Sequence, residues 1–371
     1  MTSSGVDVDG QNPNTRRLVI GAIVAALVII AGVVAAFVLG GDGEEEVPVT
    51  TTSTTVVEEI TTTTEPDTGP VAPLTGLRID DPERVMRPAL AVKIDNLDAP
   101  HESALPQHGL AKADVVFEEI VEGNITRLVA VFHSQDAGRV GPVRSARTTD
   151  IHILPQLGTT LLGWSGGNAG VVAAVRDTPS IVDLGHDRAT SAYERDSDYR
   201  APHNLFLRAD ELWDRAPDEV VPPSPIFEYR REEPMAASAE AVAGIDLNWG
   251  GGMASAPVSW RWNSELELYE RHQASQPHVD AEGNRIVTQN VVVLITPYGP
   301  SPADPRSPEA HTLGSGEALV FTNGHVIRGT WDRPSAELPA TLTDGTGEVI
   351  RLTPGQTWIE LPRANEIAVV D

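Results

Sequence analysis

The chain contains no cysteine. Disulfides, thiolate zinc sites, cysteine nucleophiles and attachment through a lipidated N-terminal cysteine are excluded together. Basic side chains are scarce: 27 lysines and arginines stand against 53 aspartates and glutamates in 371 residues, a formal net charge of −26. That balance argues against a nucleic-acid surface, which needs a basic face, and against adhesion to anionic lipid through net charge. Several familiar enzyme signatures are also missing. There is no HExxH helix, SxxK pair or GxGxxG after a strand, and no internal repeat. No cofactor and no metal is expected, and no catalytic residue is assigned.

What is present begins with one long apolar run. Residues 18–39, LVIGAIVAALVIIAGVVAAFVL, carry no charge over 22 positions, enough to span a hydrocarbon core of about 30 Å as a helix. Arg16 and Arg17 precede it and acidic residues follow, so the positive-inside rule predicts a cytoplasmic tail at 1–17 and everything after the helix outside. A cleaved signal peptide has a shorter apolar core, about 7–15 residues, which favours an uncleaved anchor. Residues 40–73 are dominated by Thr, Glu and Pro and predict a disordered linker.

The texture then becomes globular, and the composition (40% hydrophobic, with 29 prolines and 32 glycines) predicts real cores joined by many turns. ALAVKID (89–95), VVFEEIV (115–121), RLVAVFH (127–133) and TTLLGW (159–164) read as strands. Helical candidates lie at 145–157 and 168–176. Residues 74–235 thus form an expected mixed α/β domain, 236–256 a connection, and 257–371 a mostly antiparallel β domain with TNGH as a hairpin turn. The fold class is α+β.

Charge reverses locally in GRVGPVRSARTTD (138–150), which places Arg139, Arg144 and Arg147 within nine residues of an acidic chain. If 145–157 is helical, Arg144 and Arg147 lie in its first turn and Arg147 pairs with Asp150 at i, i+3. Arg127 opens a neighbouring strand after EGNIT. Two fates are open to these arginines. They neutralise Glu118, Glu119 and Glu122 internally, or they clamp a bound carboxylate or phosphate. Gly166 and Gly167, in a strand-to-helix turn, offer backbone N–H groups to the same kind of anion, although the absent Gly-Lys-Ser/Thr rules out a Walker A loop. His203 beside Asn204 reads as an acid/base pair or ligand clamp, or as a buried histidine bonded to a carbonyl. Farther on, Tyr269/Arg271 and His278/Asp280 repeat an alternate spacing that puts each pair on one strand face. Five of the seven tryptophans fall between 249 and 358, as expected of a packed β core.

The order of RPALAVKIDN (87–96), ADVVFEEIVEGNITRLVAVF (113–132), GPVRSAR (141–147), APHNLF (201–206), and then Tyr269/Arg271, His278/Asp280, Asn290 and Gly329-Thr330-Trp331 resembles the YerB-like family. These are bacterial envelope proteins whose two domains are of unknown function. The resemblance covers roughly residues 74–371 and implies a mixed N-terminal domain followed by a β-rich one, but no reaction. Many members are lipoproteins anchored through a cysteine; this chain has none, and its apolar helix is the expected anchor. The leading expectation is a membrane-tethered extracytoplasmic protein that binds an anionic envelope polymer or small ligand through Arg127, Arg144 and Arg147. One alternative is a wall-acting enzyme using Glu119, Glu122, Asp150 and His203 as acids and bases. The other is a scaffold whose arginines are purely structural. Oligomeric state is left open.

Overall fold

Three runs of the first half are buried at every position: β1 (Ala89–Asp95), β2 (Val115–Ile120) and β3 (Thr126–Phe132). Continuous apolar runs of this kind suit strands covered on both faces. The computed structural model describes residues 69–99, 101–250 and 256–371. The expected tail at 1–17, the apolar segment at 18–39 and most of the linker lie outside the described residues. Among the described residues, no helix is long and apolar enough to cross a membrane. The chain divides into units at 1–63 and 64–371, and all described residues belong to the second. Residues 69–73, assigned above to the linker, are part of that body: Ala72 is fully buried and its N–H donates to the Leu77 carbonyl at 2.7 Å.

The first half adds β4 (Thr160–Gly163) and β5 (Ile181–Asp183). The second half supplies β6 (Glu240–Ala241), β7 (Gly244–Leu247), β8 (Val258–Asn263), β9 (Leu268–Gln273), β10 (Asn290–Leu294), β11 (Gly314–Thr322), β12 (His325–Arg333), β13 (Thr341–Asp344), β14 (Thr357–Glu360) and β15 (Ile367–Val370). The large sheet runs β6-β12-β11-β10-β14-β2-β3-β1-β4-β5, with β13 on β12. A smaller antiparallel sheet contains β9-β8-β7-β15.

The two halves meet inside the large sheet. Strand β14 lies parallel to β2, with Trp358 opposite Val116 and Glu360 opposite Glu118. The sheet is therefore continuous across the expected domain boundary. One apolar cluster covers each face. Trp164, Trp249, Trp260, Trp331 and Trp358 are all buried, with Trp260 edge-on to Trp358 at 5.1 Å. The TNGH turn joins β11 to β12 as expected, with Asn323 and Gly324 at φ 48° and 72°, the left-handed pair a tight hairpin needs.

Helices are few. α1 covers only Asp150–Ile153, α2 Ala169–Asp177 and α3 Ala209–Trp213. The expected helix at 145–157 begins only at Asp150 and continues as a 3-10 turn over Pro155–Leu157. Its first residues are extended because their backbone is claimed from both sides: Arg144 N–H donates to Lys93 O at 2.8 Å, and Ala146 N–H donates to Gly166 O at 3.0 Å. Tertiary pairing outweighs weak helix propensity here. The helix expected at 168–176 is present, and Asn168 caps it by accepting from Val171 N–H at 2.9 Å.

Candidate functional site

Strand alternation sorts the buried charges. Lys93, Asp95, Glu119 and Arg127 share a face with Ala91, Phe117 and Val129, whereas Glu118 and Thr126 project with Val116 and Leu128 to the other. Adjacent glutamates in VVFEEIV therefore serve two different clusters.

On the first face lie the ends of β1, β2 and β4, which run in the same direction, together with the start of β3. Residues 143–146 cross this edge, held to β1 and to the turn after β4; Ser165 N–H donates to Arg144 O at 3.0 Å. That brings Arg127, Arg144, Arg147, Glu122, Asp150, His203 and the Gly166–Gly167 turn into one neighbourhood. Crevices outside the carboxyl ends of parallel strands are the usual ligand positions of open sheets containing them.

Within it, Arg144 Nε lies 2.7 Å from Asp95 Oδ2, and His203 Nδ1 lies 2.6 Å from the same oxygen. His203 Nε2 lies 2.8 Å from Glu102 Oε1. The Asp95 hydrogen bond pushes His203 upward in pKa against the opposing effect of burial. Burial favours a neutral Asp95, but the His203 hydrogen bond and the Arg144 charge outweigh it and hold the carboxyl below its usual range. Arg147 Nε donates to Glu122 Oε2 at 3.2 Å, and Ser307 donates to the other Glu122 oxygen. Burial would raise the Glu122 carboxyl, yet the Arg147 and Ser307 hydrogen bonds bring it down to about 2.

Asp150 does not take the Arg147 guanidinium at i, i+3. Its Oδ2 accepts the backbone N–H of Arg147 at 2.7 Å, and its Oδ1 accepts from Lys93 Nζ at 2.9 Å. Lys93 also donates to Glu119, and all three side chains are fully buried. Burial pushes the Glu119 carboxyl up. As folded, neither Glu119 nor Asp150 can reach a substrate. The internal partners of the arginines also differ from expectation: Arg147 takes Glu122, but Lys93 takes Glu119 and Arg271 takes Glu118.

Arg127 is the exception. It is 5% exposed, its Nη1 donates to the Ser145 carbonyl at 3.0 Å, and its Nε is buried without a partner. Among the described residues it makes no ion pair. Burial and the neighbouring Arg147 charge lower its pKa to about 10.

Asn204 does not join His203: its Oδ1 accepts from Arg195 at 2.8 Å. Gly166 has φ 96° with open space where a Cβ would stand, so the turn leaves room beside the arginines.

The second face holds Arg271 and His278. Arg271 Nη2 donates to Glu118 Oε2 at 2.8 Å, and its Nη1 donates to Gln273 and to His278 Nδ1 at 2.5 and 2.6 Å. His278 Nε2–H then donates to Gln107 at 2.8 Å. Burial, then the Arg271 charge, push His278 well below its ordinary pKa. Tyr269 shares the buried face of β9 but donates to the His325 carbonyl at 3.3 Å. Asp280 accepts from Asn284 N–H at 2.7 Å and fixes a turn. This set joins the two halves rather than lining a cleft, and Asp280 is not part of it. Among the described residues, no group of three His, Asp or Glu side chains could hold a metal ion. Sequence reasoning missed Lys93; a lone basic residue inside the run ALAVKID is the signal that marks it.

The fold and site define a β-rich α+β protein whose halves interlock through a buried ionic network, with Arg127, Arg144 and Arg147 near one another at a strand edge. Residues 74–221 match the domain described as "Protein of unknown function (DUF3048) N-terminal domain", and residues 245–359 match "Protein of unknown function (DUF3048) C-terminal domain". The chain belongs to this YerB-like family. It is 28% identical over 301 residues to "Putative lipoprotein YerB" of Bacillus subtilis (strain 168), covering 78% of this chain and 85% of that protein. The crystal structure of the Bacillus subtilis YerB protein superposes with a TM-score of 0.70 at 25% identity, covering 81% of this chain and 99% of the other.

Proposed function

We propose that this is a membrane-associated, extracytoplasmic binding protein that holds an anionic group of an envelope polymer or small ligand in the crevice around Arg127, Arg144 and Arg147. The relative's description as a lipoprotein supports the placement, and the apolar run at 18–39 supports the same side of the membrane. One observation carries the binding reading: Arg127 is a buried guanidinium with no carboxylate partner. A buried unpaired charge costs several kcal/mol, of order 3 or more, so a fold that keeps one has a use for it. Asp95 and Glu122 are already engaged by Arg144 and Arg147, which leaves the Arg127 donors for an incoming anion. The Gly166 turn supplies space beside them.

Thermal melting of the full-length chain in detergent, with phosphate, phosphodiesters and small carboxylates, tests the reading against an Arg127→Met variant. An anion that raises the wild-type midpoint and leaves the variant unmoved supports it. Equal response of both proteins, or no response of either, overturns it and leaves the crevice as internal architecture.

A further inference from the structure

Beside the arginines, on the far side of Glu122, lies an open cleft of about 330 Å³. Its walls include Glu122, Asn124, Tyr298, Arg306, Ser307 and Arg363. The volume is at the low end of the roughly 300–1,000 Å³ typical of small-molecule sites, suited to one ring-sized unit. The lining is dominated by hydrogen-bonding groups, not by the apolar side chains that surround most hydrophobic ligands. Glu122 is the joint between the two places. It lines the cleft, yet its oxygens are engaged by Arg147 on one side and Ser307 on the other.

The loop carrying Glu122 is the tight turn between β2 and β3, with Gly123 and Asn124 both left-handed at φ 73° and 58°, as such hairpin turns require. Opposite, Arg306 is 88% exposed and, among the described residues, pairs with Asp304, and Arg363 lies 5.0 Å over the Tyr298 ring. The cleft thus presents an exposed guanidinium on one wall and a ring-and-guanidinium stack on another.

Resting on the anion-binding reading above, we infer that the ligand is an anionic glycan. Its charged group, a carboxylate or a phosphoryl ester, meets Arg127, and a hydroxyl-rich ring occupies the cleft over Glu122. Bare anions then use half of the site. The glycan gains the donors of Arg306 and the Asn124 loop, and a few such hydrogen bonds suffice for about a tenfold difference in Kd.

Isothermal titration of the full-length chain tests this with four anions, methyl glucuronide, glucose 1-phosphate, acetate and inorganic phosphate, and with uncharged methyl glucoside as a control. The expected result is that at least one sugar anion binds about tenfold or more tighter than its bare counterpart. Arg306→Ala, at an exposed position outside the arginine crevice, removes that advantage while leaving the bare anion unchanged. Equal affinities for sugar and bare anions overturn the glycan inference and leave the anion site standing. Absence of binding by all four overturns both. Methyl glucoside binding as tightly as methyl glucuronide also overturns both, because the charge then plays no part.

Discussion

Replacing Arg271 by Met tests whether the ionic network between the halves is structural. Arg271 and Glu118 are both fully buried and 2.8 Å apart. Removing the guanidinium leaves Glu118 with the Asn96 and Thr126 hydrogen bonds, at 3.0 and 2.6 Å, and with the buried Glu360 carboxyl beside it. It also takes a donor from Gln273 and from His278 Nδ1. Breaking a buried pair at one end costs about 3–5 kcal/mol, roughly 5–15 °C in the melting midpoint of a body this size. Urea unfolding followed by tryptophan fluorescence is the natural assay, since Arg271 sits 5.0 Å over the Trp358 ring. Adding Glu118→Gln removes the stranded charge and keeps an acceptor for Asn96 and Thr126, so the double variant recovers at least about 1 kcal/mol relative to Arg271→Met. An Arg271→Met protein within about 1 kcal/mol of wild type refutes the reasoning.

Three further outcomes are expected. His203 is pushed above its usual pKa of about 6.5, chiefly by the Asp95 hydrogen bond. Its stabilising contribution is therefore full below about pH 6.5 and lost as pH rises through the raised value; calorimetry between pH 5.5 and 9 should show that loss in wild type and not in His203→Gln. Gly324→Ala places a Cβ 2.7 Å from Trp262 Nε1 at φ 72° and lowers stability by at least about 1 kcal/mol, measured by denaturant midpoint; a neutral change contradicts the turn geometry. Lys93→Met leaves Glu119 and Asp150 buried without their cation and costs about 3–5 kcal/mol, unless the triad is not buried as described.

Much of the architecture is legible in the sequence because its signals are local. The runs at 89–95, 115–121 and 127–133 are strands within a residue, the Asn-Gly turn is where it should be, and the Ala/Val-rich helix is capped by Asn168. The helix expected at 145–157 starts only at Asp150 because residues 144–146 are held by Lys93 and Gly166, partners about 50 and 20 positions away. Alternation alone predicts that Glu118 and Glu119 point apart, but not that Arg271, 153 residues later in the chain, meets the first. Arg144 and Arg147 lie near Arg127, whereas Arg139 pairs elsewhere with Glu194 and Asp196. What the sequence could not show is which of them lacks a carboxylate, since that depends on how Asp95 and Glu122 are shared. The continuity of one sheet across both halves is likewise a long-range pairing, β14 on β2, with no local signature.

The most direct measurement is the Nε–H resonance of Arg127 in arginine-labelled protein, followed by NMR as phosphate or acetate is added. This N–H is buried and unpartnered, so an anion that enters the crevice must move it. The account predicts a saturable shift of Arg127 Nε–H, with a smaller response at Arg147, whose Nε already donates to Glu122. An Arg127 signal that stays fixed throughout the titration contradicts the claim that this guanidinium receives an anion.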